Sequence, residues 1–299
     1  MTLLALASAV PGAMGAWLEA RLASGLVLAL PLGLAGLALL RLGLLPRLGG
    51  SISQPREPLW RGAAAGVAAA AALLAAALLP PVLMGAFRDG AAGYAPFIPV
   101  PAPASPASAP SSFGFFALQS LAEELLFRAF LLTVLAALLL LFARLIFGKL
   151  SGMQEPHRGR VAARRWLASG LLANAGQSVA FAWLHALNPN VTPLGLFNIG
   201  LAGALLGWLY WSEGGLLGPW TFHTLWNFSL AALALPVSGM TMGRPVFSTG
   251  IRGAGLPALS GGGFGPEGSV LSTVTLAALV VFLVRRSARK LPLAYPSSP

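Results

Sequence analysis

The chain predicts an all-α fold, a polytopic transmembrane helix bundle of seven or eight spans, and three observations carry that prediction. Its 299 residues are 57% hydrophobic and 9% charged, with a mean hydropathy of +0.78. Apolar runs of about 20 residues, the length that crosses hydrocarbon, recur between short polar connections. Most of the 19 basic residues fall in three clusters, Arg41–Arg61, Arg144–Arg165 and Arg285–Lys290. Alternating the spans puts all three on one side, the cytoplasmic one by the bias of membrane proteins toward basic inner loops.

Taken in order, residues 1–18 are apolar but broken by Pro11 and several glycines, and read as an interfacial helix, an anchor or a short first span. Ala23–Leu44 and Gly62–Phe87 are spans. Residues 88–112 are rich in proline and predict an extended loop. Phe113–Phe147 is longer than one span needs, so a bent or interfacial continuation is expected there. A basic loop over 149–165 leads to spans at Trp166–Leu187, Leu194–Trp211 and Leu216–Leu235. A Gly/Ser/Pro-rich loop, 236–268, precedes the last span, Val270–Val284. The organisation is therefore N-terminal spans with a proline-rich loop (1–112), a central core (113–235), and a glycine-rich loop with a terminal span (236–299).

Composition excludes several chemistries. There is no cysteine, hence no disulfide, thiolate nucleophile or Cys-ligated zinc or iron–sulfur site. The net charge of +11 has no polar domain to display it, which points to lipid headgroups and not nucleic acid as its counterpart. Ala, Gly, Leu, Pro and Arg dominate while lysine is confined to Lys149 and Lys290, a bias of GC-rich bacterial genomes. The expected location is a bacterial inner membrane.

Chemistry is read from the ionisable groups placed in apolar sequence. Such groups are costly in hydrocarbon and persist where they pair, line a wet cavity or react. Glu123 and Glu124 lie in Phe113-Gly-Phe-Phe-Ala-Leu-Gln-Ser-Leu-Ala-Glu-Glu-Leu-Leu-Phe-Arg128. Glu124 and Arg128 stand at i,i+4, the spacing of a structural ion pair. Glu123 is turned about 100° away, with no local cation, and is free to act as a general base. His185 closes Phe181-Ala-Trp-Leu-His185 and reads equally as an interfacial residue or a functional one. His223 and Asn227, again i,i+4, present an imidazole and a carboxamide from one face, either as helix-packing groups or as donors to an oxyanion. Asn174, Gln177 and Asn198 read as packing amides. Gly263-Phe-Gly-Pro-Glu-Gly268 matches a dinucleotide pattern but follows no strand, and its glycines and Pro266 are those of a loop.

Two glutamates, two histidines and an amide on three spans point to a hydrolytic site buried in the bilayer. The rival readings are a non-proteolytic scaffold or immunity-type protein and, less favoured, a proton-coupled transporter. Helix rise sets Glu123 about 15 Å from one membrane face, His185 about 28 Å from the other and His223 about 10 Å from that same face. The helices must tilt or shift for these groups to meet.

In their order and spacing, Glu123-Glu124-x-x-x-Arg128, Phe181-x-x-x-His185 and His223-x-x-x-Asn227 resemble the motifs of the CPBP family of intramembrane proteases. That family takes in the CAAX prenyl endopeptidases and the Abi, bacteriocin-processing proteins. The resemblance implies an endopeptidase acting on a peptide or membrane-anchored protein. Glu123 and His185 would activate a water, and His223 and Asn227 would hold the oxyanion. Glu124 and Arg128 would hold the architecture. It also leaves two cofactor states open: none, or a zinc ion held by Glu123, His185 and His223 with water in the fourth position.

Overall fold

The computed structural model describes residues 59–83, 100–101, 108–148, 157–241, 247–248 and 257–294. The expected span Ala23–Leu44, the apolar residues 1–18 and most of the proline-rich stretch lie outside the described residues. The fold is helical. Long elements are α1 (Leu59–Leu83), α2 (Ser108–Glu124), α3 (Thr133–Phe147), α4 (His157–His185), α5 (Pro193–Ser212), α6 (Leu217–Ala232) and α8 (Val270–Ala294), with a single turn α7 (Pro257–Ser260). Strand structure among the described residues is limited to a two-residue antiparallel pair, β1 (Val100–Pro101) with β2 (Phe247–Ser248).

Among the described residues, four helical stretches are long and apolar enough to cross a membrane: Trp60–Pro80, Ala109–Phe147, Pro193–Ser212 and Val270–Ser287. The protein is an integral membrane protein. The described residues do not establish the expected seven or eight spans, and two of the expected spans differ in kind. α4 is long but polar on average, because its first turns carry His157, Arg158, Arg160, Arg164 and Arg165. α6 has only 16 residues, about 24 Å of helix, too short for the hydrocarbon core.

Several boundaries also move. α2 begins at Ser108, inside the stretch expected to be extended. Pro110 falls in the first turn, where a missing N–H costs nothing. α4 begins at His157 and consumes half of the expected basic loop, since Arg and Ala are good helix formers. Where a bent or interfacial continuation is expected, the helix runs on to Phe147. α2 and α3 are joined through Leu125–Leu132 into one unbroken helix, and that joining segment is a π-helix.

The packing places α6 at the centre. α1 and α2 lie against α6, α4 and α8 against α5, and α3 against α4. The main core holds Leu73 and Ala77 of α1, Trp208 of α5, Phe222 and Leu230 of α6, and Leu276 of α8. Trp208 also donates to Ser287 Oγ at 3.0 Å, tying α5 to α8. Arg165 of α4 caps the end of α3, donating to the Phe147 and Gly148 carbonyls at 3.2 Å each. The outer side of α4 is apolar, with Leu172, Val179 and Trp183 exposed. Its inner side carries amides. Asn174 Nδ2 donates to Ala204 O (2.9 Å) and Gln177 Nε2 to Gly203 O (2.8 Å), so these residues pack α4 on α5.

α1 and α6 approach so closely at Gly66 that an added Cβ would stand 2.3 Å from the Gly218 carbonyl oxygen. At Gly114 the same atom would meet nothing within 4 Å. Alanine gains about 1 kcal/mol of helix propensity over glycine at either position. Gly114→Ala should therefore raise the thermal unfolding midpoint in detergent. Gly66→Ala should lower it, because forcing the helices apart costs about 1–3 kcal/mol.

Candidate active site

α2 delivers the two glutamates just before the helix changes form. In the π segment the backbone bonds reach back five residues, and Thr133 Oγ1 donates to the Arg128 carbonyl at that separation, 3.2 Å. Phe127, Arg128 and Ala129 are buried in succession, a wider buried arc than a regular helix of 3.6 residues per turn offers to one neighbour. Glu124 and Arg128 are wholly buried and pair at 3.1 Å. The guanidinium lies 4.6 Å from the centroid of the Phe181 ring. Its Nη2 reaches toward the Gly203 carbonyl at 3.5 Å.

α6 brings His223 against the same helix. Trp220, one turn earlier, donates from Nε1 to the Ala117 carbonyl of α2 at 2.7 Å and sets the register. His223 Nδ1 donates to Glu124 Oε1 at 2.8 Å. Its Nε2 faces Glu123 Oε2 at 3.9 Å. The imidazole is thus held between the two adjacent carboxylates.

Asn227 and Glu123 are linked through a residue that the motif reading passes over. Gln119 Nε2 donates to Glu123 Oε1, and Asn227 Nδ2 donates to Gln119 Oε1 at 3.2 Å. The carboxylate can only accept, so the Gln119 amide must face it with its NH₂. Its carbonyl then faces Asn227, whose NH₂ keeps a second proton. Gln119 stands at i−4 from Glu123, a spacing visible in the sequence. Glu123, which the sequence leaves without a local cation, accepts from the neutral amide of Gln119 and faces His223.

His185 is the last residue of α4. Its Nδ1 lies 2.8 Å from the Phe181 carbonyl, which can only accept, so Nδ1 carries the proton and Nε2 keeps its lone pair. The Phe181 ring packs on His185 (centroids 4.8 Å apart, tilted by 50°) and lies edge-on to His223 at 6.1 Å. Phe181 therefore contacts Arg128 and both imidazoles. Glu123, His185, His223 and Asn227 all line one cavity of about 190 Å³. The unequal depths counted from the sequence, taken from helix ends at Phe113, Trp166 and Leu216, do not keep Glu123, His185 and His223 from lining this one cavity. Glu124 and Arg128 stand behind this wall.

The cavity also draws on residues beyond 113–235: Leu73 of α1, Leu276 of α8 and Glu267 of the glycine-rich loop. That loop folds inward as two short 3₁₀ turns, Gly262–Phe264 and Pro266–Gly268. Gly261 and Gly265 sit at φ +80° and +91°, and a Cβ on Gly261 would fall 1.6 Å from the Gly265 carbonyl oxygen. Glycine is required there by backbone contact, which accounts for the Gly263–Gly268 pattern without a nucleotide. Asn198 of α5 pins the loop by donating to the Glu267 and Ser269 carbonyls at 2.7 and 2.9 Å. Burial pushes the Glu267 carboxyl above the ordinary carboxylate range, opposed by hydrogen bonds from Trp226 and Ser238 and by the nearness of His185. Neither Gln119 nor Glu267 carries a motif signal of function.

Zinc was left open by the sequence. Among the described residues no three His, Cys, Asp or Glu side chains gather closely enough to hold a metal ion. Glu124 is already committed to Arg128 and His223. As arranged, Glu123, His185 and His223 do not fit a three-ligand zinc site.

No curated protein and no solved structure matches the chain. Residues 105–229, about two fifths of it, match a family model described as type II CAAX prenyl endopeptidase Rce1-like. The match covers Glu123, Glu124, Arg128, Phe181, His185, His223 and Asn227, which build one end of the cavity and the ion pair behind it. Over residues 105–229, the stretch that supplies these seven side chains, the chain is similar to the Rce1-like family of type II CAAX prenyl endopeptidases.

Proposed function

We propose that the protein is an intramembrane endopeptidase that hydrolyses a peptide bond of a membrane-associated substrate with a water activated by Glu123 and His185. The observation that carries this reading is the hydrogen-bonded series from Asn227 through Gln119 to Glu123, facing His223, on the wall of a cavity that His185 also lines. Base, donors and space for a carbonyl lie within one enclosure. Water-excluding walls strengthen each electrostatic term there.

In the proposed step, a water bound between Glu123 and the free Nε2 of His185 attacks the scissile carbonyl carbon. Its proton passes to Glu123 as the carbon–oxygen bond forms. The carbonyl oxygen becomes an oxyanion, held by the second N–H of Asn227 and by the Nε2–H of His223, which acts as an imidazolium with its Nδ1–H on Glu124. Collapse of the tetrahedral intermediate breaks the C–N bond, and the proton held by Glu123 goes to the leaving amine. Glu124 orients His223 from behind, and Arg128 balances the charge of Glu124.

Each role has its own signature. Glu123→Gln should lower kcat/KM about 10²–10⁴-fold, with the unfolding midpoint unchanged. Wild-type activity in that variant on a fluorogenic peptide library, or in comparative proteomics of membrane peptides, would falsify the mechanism. Asn227→Ala should cost about 10²–10³-fold in kcat with little change in KM, the mark of a donor used in the transition state. Arg128→Met behaves differently. It strands Glu124 as a buried charge and should destabilise the protein by about 3–5 kcal/mol, read as lost folded yield before any kinetic measurement. A scaffold would show the last effect alone.

A further inference from the structure

The end of the cavity beyond His185 is built from acceptors. Asn188 follows His185 by one turn, with its backbone N–H bonded to the His185 carbonyl at 3.0 Å. Its Nδ2 donates to the Ser238 carbonyl at 3.0 Å. A carbonyl cannot donate, so the amide orientation is forced and Oδ1 is the free end. That oxygen is buried and has no hydrogen-bond partner in the structure, and Asn188 is 5% exposed. The same residue, Ser238, donates its backbone N–H to Glu267 Oε2, while Trp226 Nε1 donates to Glu267 Oε1 at 3.0 Å. One residue of the loop thereby places an orphaned carbonyl oxygen and a carboxylate on a common wall. Asn188, Ser238, Glu267 and His185 all line the cavity, with Val237, Met240 and Leu276 beside them.

Burial opposes the charge on Glu267 and an adjacent cation restores it; ionised, its carboxylate offers about four lone-pair sites, and the two bonds from Trp226 and Ser238 leave acceptor capacity. Neither Asn188 Oδ1 nor the remaining Glu267 lone pairs can be satisfied by a carbonyl, a carboxylate or hydrocarbon. Both demand donors, and a buried carboxylate most of all demands a cation. The geometry points to a substrate subsite for an ammonium group on an apolar stem, which in a peptide is a lysine side chain flanking the scissile bond on the His185 side. Three donors on the ammonium match acceptors on Glu267 and Asn188, and its methylenes match the Val237, Met240 and Leu276 walls. The peptide form of this inference rests on the protease reading, whereas the ammonium site itself does not.

Full-length protein in a neutral maltoside detergent separates the two. Hexylammonium and hexanol have equal stems, and binding of each is measured by calorimetric titration. The chain carries a net charge of +11, so long-range electrostatics repel the amine and a preference for it must be local. Hexylammonium is expected to bind about tenfold or more tightly than hexanol, with the preference lost in Glu267→Gln and weakened in Asn188→Ala. Equal affinity in the wild type overturns the subsite, and so does a preference that survives Glu267→Gln. The wild-type comparison needs no variant, so a folding defect in either substitution does not shelter the idea. In peptides differing only by lysine or norleucine beside the cleaved bond, the wild-type kcat/KM ratio should favour lysine about tenfold and collapse in Glu267→Gln. Amine binding without hydrolysis of any peptide sinks the protease reading and leaves the subsite standing. Hydrolysis with no amine preference does the opposite.

Discussion

A carboxylate and a guanidinium, both removed entirely from solvent, meet at 3.1 Å between Glu124 and Arg128. Neither is tolerable in an apolar interior without the other, and their contacts organise what surrounds them. Arg128 sits over Phe181 and reaches the backbone of α5 at Gly203. Glu124 turns its other oxygen to His223 of α6. A single ion pair thereby joins α2, its π segment, α4, α5 and α6. The cost of burying the charges is set against specificity, since helix positions that separate the pair leave two stranded ions.

From that anchor the polar groups form a directed series. Glu124 accepts from His223, Glu123 accepts from Gln119, and Gln119 accepts from Asn227. Donor and acceptor roles are fixed by chemistry at each link, because carboxylates at one end leave the amides only one orientation. The outcome is a carboxylate with a defined acceptor face, as the proposed base requires, and an amide with one uncommitted proton. His185 is fixed separately, by the carbonyl of Phe181, and comes from the end of a helix instead of its middle. Preorganisation of this sort removes reorientation from the reaction itself.

Pairs within one helix were legible in the sequence, and relations across helices were not. A separation of four residues is enough, in the bare sequence, to couple Glu124 with Arg128, Phe181 with His185 and His223 with Asn227. The apolar runs likewise foretell α1, α5 and α8. Gln119 shares the spacing, but a glutamine in a helix has no distinguishing chemistry until its neighbours across the gap are known. Glu267 lies in a stretch whose glycines erase periodicity, so neither its burial nor its place in the cavity could be read. The π segment has no compositional signature at all. α4 departs from the reading at its start: the basic residues between His157 and Arg165 read as a loop, yet they continue the helix whose amides Asn174 and Gln177 pack on α5 as expected.

The outer side of α4 has a consequence for how the chamber meets its surroundings. Trp183 and Leu187 point outward within two residues of His185, and Leu184 both lines the cavity and reaches the exterior. Among the described residues, the wall between the proposed site of water activation and that outer side is α4 alone, one helix thick. Whatever presses on the outer side of α4 reaches the imidazole through a single helix.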